Sequence, residues 1–238
     1  MPPHLTAADI PSLTLLYEQR KLSTTPPGTP ILGPTTGGSS GSLSIPTPSK
    51  SYNDRVGLFR GDITTLALDA IVNAANRSLM GGGGVDGAIH RRAGNELFEE
   101  CKRVGRCETG EAKITNGYKL PCRKVIHAVG PIYDPSDHAG SERLLTGCYR
   151  RSLELAVENE CRTVAFSAIS TGVYGYPSRD AAPAAMGAIR AFLDGPSGKD
   201  LDKVVIVTYE LKDVDAYNEF IPYVTLPPSL VVTTQPLN

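Results

Sequence analysis

The chain has 238 residues, a formal net charge of −1 and an apolar content of 40%. This length allows one substantial domain with additional segments, and the apolar content is sufficient for a core. The small net charge argues against strong nucleic-acid binding, and no apolar run approaches the roughly 20 residues that span a bilayer. The five cysteines form no CxxC pair, which favours a reduced intracellular compartment, cytoplasmic or nuclear.

The N-terminal part of the chain divides by composition. Residues 9–22 predict a short amphipathic helix, capped by Asp9, with Leu13, Leu16 and Tyr17 on one face. Residues 23–50 are rich in Ser, Thr, Pro and Gly and almost uncharged, which predicts a linker or insertion. We therefore expect a helical segment 1–22, a linker 23–50, a folded domain 51–226 and a tail 227–238.

Strand and helix patterns alternate after residue 51. Strands are predicted at 56–59, 70–73, 111–115, 124–129, 163–169 and 204–208. Helices are predicted from Asp86 onward, at 141–159, from the 170–177 loop to Leu193, and at 213–221. This alternation predicts an α/β domain whose mostly parallel sheet is covered on both faces.

The stretch from 69 to 94 carries the first functional signal. An apolar strand ends in Asn73 and Asn76, four glycines follow at 81–84, and a helical pattern opens with Asp86. A strand, a glycine loop and a helix start together favour an anion cradle. Val85 and Asp86 stand where a nucleotide triphosphatase loop needs Lys and Ser/Thr. The eight residues before the glycines also disfavour a dinucleotide fingerprint.

A second loop, 170–177, also leaves a predicted strand and enters a helix. Ligands of such sheets bind beyond the carboxyl ends of the strands. The 81–86 and 170–175 loops are therefore expected to face each other across one crevice. The residues alone indicate an anion-binding α/β domain for a nucleotide.

Four segments in this order resemble the macrodomain family, and within it the MacroD type. They are GDIT (61–64), AIVNAAN (70–76), GGGGVDGAIH (81–90) and ISTGVYGYP (169–177), with weaker support from AKIT (112–115) and VIHAVGP (125–131). The resemblance covers about residues 52–222, and residues 23–50 have no counterpart in it. Met80 and Arg92 depart from the type, which usually has Leu and Ala at these positions.

The resemblance implies a three-layer α/β/α domain with a mixed, mostly parallel central sheet. It implies a monomer that binds ADP-ribose, removes it from Asp and Glu side chains of proteins, and deacetylates O-acetyl-ADP-ribose, without a cofactor or membrane. Two alternatives stay open: a module that reads ADP-ribose without turnover, and a phosphatase acting on ADP-ribose 1″-phosphate.

Each binding role implied by the resemblance has a structural alternative. Asp62, with the Ile63 backbone beside it, would accept a hydrogen bond from the adenine amino group, or would cap a turn. Asn76 would hold the distal ribose, or its own turn, and Asn73 has an equally plausible structural role. Backbone amides and Tyr174 would surround the diphosphate and sugar. The implied binding residues are Asp62, Ile63, Asn73, Asn76, Gly83, Gly84, Val85, Asp86, Ser170, Thr171, Gly172, Val173 and Tyr174.

The implied catalytic residues are Asp86, Asn76 and His90. Asp86 would orient or deprotonate a water beside the ribose, although an acid is also favoured at a helix start. His90 lies at i+4 from Asp86 and would tune the carboxylate, or would simply be packed. The other histidines, among them His127, have no partner spacing that supports a role. Cys101, Cys107 and Cys122 show no compact ligand pattern, so we predict no metal.

Overall fold

The computed structural model describes residues 4–22 and 49–225. The predicted tail, 227–238, and all but the last two residues of the predicted linker, 23–50, lie outside the described residues. Within the described ranges, no helix combines the length and the apolar character that a bilayer span requires.

Helices and strands alternate along the chain, as predicted. The helices are α1 (Leu13–Glu18), α2 (Lys50–Arg55), α3 (Gly84–Ala93), α4 (Asn95–Val104), α5 (His138–Glu158), α6 (Ser178–Asp194) and α7 (Leu211–Thr225). The strands are β1 (Val56–Arg60), β2 (Ala70–Ala74), β3 (Ala112–Asn116), β4 (Lys124–Ala128), β5 (Thr163–Phe166) and β6 (Lys203–Thr208). Helices α2 and α4 were not predicted, and α3 begins two residues before Asp86.

The sheet has six strands in the order β1-β6-β5-β2-β4-β3. All neighbours pair in parallel except β3 and β4, which pair antiparallel. Helices cover both faces, so the prediction of a three-layer domain with a mixed, mostly parallel sheet is confirmed.

Side chains alternate between the two faces of each strand, and this alternation separates two cores. Ile71 of β2 and Val125 of β4 pack with Ile89 and Ala93 of α3 and with α4. Val72 and Ile126, one residue later, join the core formed with α5 and α6. By the same period of two, Asn73 and His127 return to the α3/α4 face, where they are neighbours in the strand register.

The N-terminal segment packs on the domain rather than standing apart. Leu13, Leu16 and Tyr17 are buried on one face of α1, as predicted, and join the α5/α6 core. The predicted cap is wrong: Ser12 caps α1 by accepting from the Leu15 backbone N–H, whereas Asp9 accepts from Thr6. Asp9 lies too far before the first helical turn to reach its free amides.

Candidate functional site

The parallel strands bring their following loops to one edge of the sheet. β2 and β5 are neighbours here although β3 and β4 lie between them in sequence, so the loops after them diverge from a point where the strand order reverses. The Ser167 N–H donates to the Val72 carbonyl over 3.3 Å, which holds the starts of both loops together. This is the crevice in which doubly wound sheets bind ligands.

The first loop ends in a helix start that offers free amides. Gly83 is the N-cap residue of α3, and no side chain caps that end of the helix. A Cβ atom added to Gly82 would lie 3.2 Å from Asp86 Oδ2 and 3.4 Å from Asn76 Nδ2. The two predicted catalytic side chains therefore converge on a backbone position where a side chain would crowd them. An uncapped helix start with a bare approach is suited to an anion or a sugar phosphate.

Asn76 holds the turn that precedes the glycines. Its Oδ1 accepts from the backbone N–H and the hydroxyl of Ser78 over 2.9 and 2.6 Å, and its Nδ2 donates to the Gly81 carbonyl over 2.8 Å. The turn-holding alternative is thus observed. The amide retains a second N–H, close to the Gly82 position where Asp86 also arrives.

Asn73 lies at the centre of a buried hydrogen-bond chain. Its Nδ2 donates to Asp86 Oδ1 over 2.8 Å and approaches His127 Nδ1 at 3.1 Å. His127 Nε2 in turn lies 2.9 Å from Thr115 Oγ1. All four side chains are buried. Sequence spacing did not indicate these partners of His127, because the strand register places it beside Asn73 although 53 residues separate them in sequence.

Burial and two polar partners set the state of Asp86. Burial raises the pKa of its carboxyl, whereas the Asn73 amide and His90 lower it. Burial lowers the pKa of His90, and the Asp86 charge raises it. His90 Nε2 lies 3.5 Å from Asp86 Oδ1, and this buried nitrogen has no hydrogen-bond partner among the described residues. A carboxylate with a raised pKa is a better proton acceptor than an exposed one.

The second loop is held in an unusual backbone conformation. Ser170 has a left-handed φ of 67°, and its carbonyl accepts from the Tyr176 N–H over 3.0 Å. The Tyr174 carbonyl accepts from the Tyr133 N–H over 2.9 Å, which ties the loop to the one after β4. Among the described residues, the amides of Gly172, Val173 and Tyr174 donate no hydrogen bond. These three N–H groups are free to donate to a ligand.

The exposure of the second loop differs from residue to residue. Ser170 and Thr171 are buried, Tyr174 is half-buried, and Val173 is 96% exposed. Val173 therefore has no contact within the domain that explains an apolar side chain at this position.

Asp62 caps a turn with one oxygen and faces an arginine with the other. Its Oδ1 accepts from the N–H and the hydroxyl of Thr64 over 2.9 and 2.7 Å, which starts a short 3-10 turn from the buried Ile63. Its Oδ2 lies 3.9 Å from Arg92 Nη1 on α3. The alternative of a turn cap is thus observed, but it does not occupy the whole carboxylate.

Tyr209 is a site candidate that the sequence reasoning missed. It follows β6, whose last residue, Thr208, pairs with Arg60 just before the Asp62 turn. Its side chain is 76% exposed. An exposed aromatic ring is suited to stacking on a base. Only the pairing of the first and last strands places Tyr209 and Asp62 at the same end of the sheet, and no local sequence pattern shows that pairing.

Side-chain atoms of three residues on different elements lie close enough together to be considered as metal ligands. Atoms of His90, Cys101 and His127 lie within 4.8 Å of one another, a group not predicted from the cysteine spacing. Burial lowers the pKa of His127 to about 3 and raises that of the Cys101 thiol to about 12. Both nitrogens of His127 already have protein partners, and the thiol resists the deprotonation that a metal requires.

Comparison with known proteins gives one consistent result. The model of the Macro domain family matches residues 72–185. The Macro domain-containing protein CT2219 of Chlorobaculum tepidum is 53% identical over 67% of this chain and 91% of its own length. The ADP-ribose glycohydrolase MACROD1 of Rattus norvegicus is 49% identical over 73% of this chain and 67% of its own length.

The solved structures agree with the sequence relatives. The Trypanosoma brucei macrodomain in complex with ADP-ribose is 35% identical, with a TM-score of 0.73. The similarity covers 93% of this chain and 78% of that one.

Proposed function

The chain belongs to the macrodomain family, and from this premise we propose that it binds ADP-ribose and hydrolyses esters of its distal ribose. The substrate class we propose is proteins that carry mono-ADP-ribose on Asp or Glu side chains. O-acetyl-ADP-ribose presents the same kind of bond, an ester of a ribose hydroxyl, so the same site would remove its acetyl group.

One observation carries the proposal: Asp86 Oδ2 and Asn76 Nδ2 converge on Gly82 beside an uncapped helix start. The helix start and its free amides suit the diphosphate. A buried carboxylate beside a dianion costs binding energy, so a module that only reads ADP-ribose gains nothing from it. A hydrolase needs such a group to accept a proton from water. The position of Asp86 therefore favours turnover over reading.

The reaction needs little from the protein beyond position and proton transfer. Water attacks the ester, its oxygen forms the new bond, and the ester bond breaks to leave free ADP-ribose and the side-chain carboxylate. Asp86, whose ionised form the Asn73 amide favours, orients the water and accepts one of its protons, which passes to the ribose oxygen as the ester bond breaks. The other water proton leaves the product carboxylic acid for solvent. Burial lowers the pKa of His90, which favours a neutral imidazole next to the carboxylate rather than a cation that would neutralise it.

The other end of the crevice fits the base. Asp62 Oδ2 faces Arg92 Nη1 at 3.9 Å and can still accept from an exocyclic amino group. Tyr209 offers an exposed ring directly after β6, the strand that pairs with β1. We propose that adenine lies between them. The diphosphate would then meet the free amides of the 81–86 and 170–175 loops.

The test is incubation of the protein with a substrate protein that carries mono-ADP-ribose on Asp or Glu. The proposal expects release of free ADP-ribose. It also expects calorimetry to show that the protein binds ADP-ribose without added metal. Binding without release would make the protein a reader. Release of phosphate from ADP-ribose 1″-phosphate, with no action on the esters, would make it a phosphatase. If the protein neither binds ADP-ribose nor releases it from the substrate, the whole proposal is overturned.

A further inference from the structure

The buried chain from Asp86 to Thr115 has only one consistent arrangement of protons when Asp86 is ionised. A carboxylate accepts, so the atom of Asn73 that faces it must be the amide nitrogen. The same nitrogen faces His127 Nδ1, which must therefore accept. His127 is neutral because burial lowers its pKa to about 3, so its single proton lies on Nε2 and points at Thr115 Oγ1, 2.9 Å away.

The far end of the chain supports the same order. Thr115 Oγ1 lies 3.4 Å from the Val125 carbonyl, which can only accept, so the hydroxyl directs its own proton there. Its oxygen is then free to accept from His127. The carbonyl of β4 thus favours the same direction of the donors back to Asp86.

We propose that His127 is a positioning residue: as a neutral imidazole protonated on Nε2, it holds the Asn73 amide in the orientation that keeps Asp86 a hydrogen-bond-accepting carboxylate. The other orientation would place Asn73 Oδ1 against both Asp86 and the lone pair of His127 Nδ1. His127 repels that orientation and therefore denies a protonated Asp86 its best acceptor. The catalytic consequence rests on the proposed hydrolase function, whereas the proton positions do not.

Loss of His127 has a directional consequence. Without the imidazole lone pair, the Asn73 amide is free to rotate and accept a proton held by Asp86. The protonated form gains a hydrogen bond, and the pKa of Asp86 rises. A gain of one neutral hydrogen bond corresponds to about one pKa unit, a tenfold change in the proton affinity of the carboxyl.

Other titratable groups that face the chain come from two helices. His90 from α3 acts on both Asp86 and His127, and Cys101 from α4 lies 3.6 Å from His127 Nε2, with Glu100 nearby. The strands contribute the neutral Asn73 and Thr115. Because the experiment leaves His90, Cys101 and Glu100 unchanged, a shift in the Asp86 titration is assigned to the altered chain.

Three variants separate this role from simple packing. His127→Phe keeps a ring and removes both nitrogens, and Thr115→Val removes only the acceptor of the Nε2 proton. Ile126→Val is the matched control: it loosens the same strand on the opposite face, at a usual cost of about 0.5–1.5 kcal/mol. Carboxyl-carbon NMR, assigned with Asp86→Asn, gives the pKa of Asp86 in each folded variant without requiring turnover.

The proposal expects the pKa of Asp86 to rise by about one unit in His127→Phe, which is a tenfold gain in proton affinity. The pKa should rise by less in Thr115→Val and should not change in Ile126→Val. The acidic limb of kcat/KM should move to higher pH by the same amount, with kcat recovered above it. Nitrogen-15 NMR of the wild type should find the His127 proton on Nε2. A proton on Nδ1, or an unchanged Asp86 titration in either chain variant, would overturn the proposal. If His127→Phe does not fold, the titration of Asp86 in Thr115→Val alone tests the proposal. If the wild type shows no turnover, only the hydrolase function is refuted, because the proton positions are measured independently.

Discussion

The Nδ2 atom of Asn73 lies 2.8 Å from the Oδ1 atom of Asp86, and both side chains are buried beside the glycine loop. This bond is the strongest polar contact of a carboxylate that has been removed from water. It lowers the cost of keeping the charge but does not cancel it, since burial remains the largest influence on the pKa of Asp86. The site therefore holds a charge that the fold alone does not favour.

Asp86→Asn should stabilise the fold at neutral pH. Burial raises the pKa of Asp86 above its ordinary 3.8, so the folded state holds this proton more tightly than the unfolded state. The protonated carboxyl therefore contributes to the free energy of unfolding at pH values below the pKa of Asp86 in the unfolded state. This contribution is lost as the pH rises through the pKa of Asp86 in the folded state. The Asn variant avoids that loss, and each 1 kcal/mol would raise Tm by about 2–4 °C.

Thermal unfolding of both proteins across the pH range is the measurement. The difference in Tm should be largest near neutrality and should shrink as the pH falls toward the ordinary carboxyl pKa. A variant that is less stable than the wild type at pH 7 would show that the carboxylate is stabilising where it stands.

Gly82→Ala should block the site without unfolding the domain. The new Cβ would stand 3.2 Å from Asp86 Oδ2 and 3.4 Å from Asn76 Nδ2, in the space where a ligand must approach. We expect at least about a tenfold loss of ADP-ribose affinity, equivalent to about 1.4 kcal/mol. Calorimetry measures it.

Gly187→Ala is the matched control for this change. Gly187 lies in α6, where a new Cβ meets nothing within 4 Å. The substitution should raise stability by about 0.4–1 kcal/mol through the unfolded state and leave affinity unchanged. Equal affinities for all three proteins would remove Gly82 from the site.

Asp62 should show two separable roles. Asp62→Asn keeps an oxygen to accept from Thr64, so stability should be preserved, but it places an amide donor against the adenine amino group. Asp62→Ala loses both functions, including about 1 kcal/mol of turn-capping stability. Affinity for ADP-ribose should fall by about 1–3 kcal/mol in each variant.

The ligand counterpart of this experiment is inosine diphosphate ribose, which lacks the amino group. It should bind the wild type more weakly than ADP-ribose, and the two Asp62 variants should discriminate less between the ligands. If the wild type binds both equally, Asp62 is a turn cap alone.

The sequence predicted the parts of the site whose residues lie close together in the chain. The glycines at 81–84, Asp86 and His90 form one local pattern, and the 170–177 loop forms another. Their common location followed from a general property of parallel sheets. The alternation of strands and helices was enough for the fold class, although α2 and α4 were not predicted.

The parts that were missed depend on strand pairing. His127 and Asn73 meet only because β4 lies beside β2 in a particular register, and Thr115 joins them only through the antiparallel β3. Tyr209 reaches the Asp62 end through the pairing of β6 with β1. The cap of α1 was misassigned because Ser12 and Asp9 are both good caps, and only the backbone decides which one reaches the first turn.

The most direct test of the central claim compares Asp86→Asn with the wild type in single-turnover release of ADP-ribose from an Asp/Glu-modified protein. Asp180→Asn is the matched control, since it also removes an acid from a first helical turn, that of α6. We predict a loss of about 10²–10⁴-fold for Asp86→Asn, the usual contribution of a general base, with ADP-ribose binding largely retained. Asp180→Asn should release ADP-ribose at the wild-type rate. Release by Asp86→Asn at the wild-type rate would contradict the account and leave Asp86 a helix-start acid without a catalytic role.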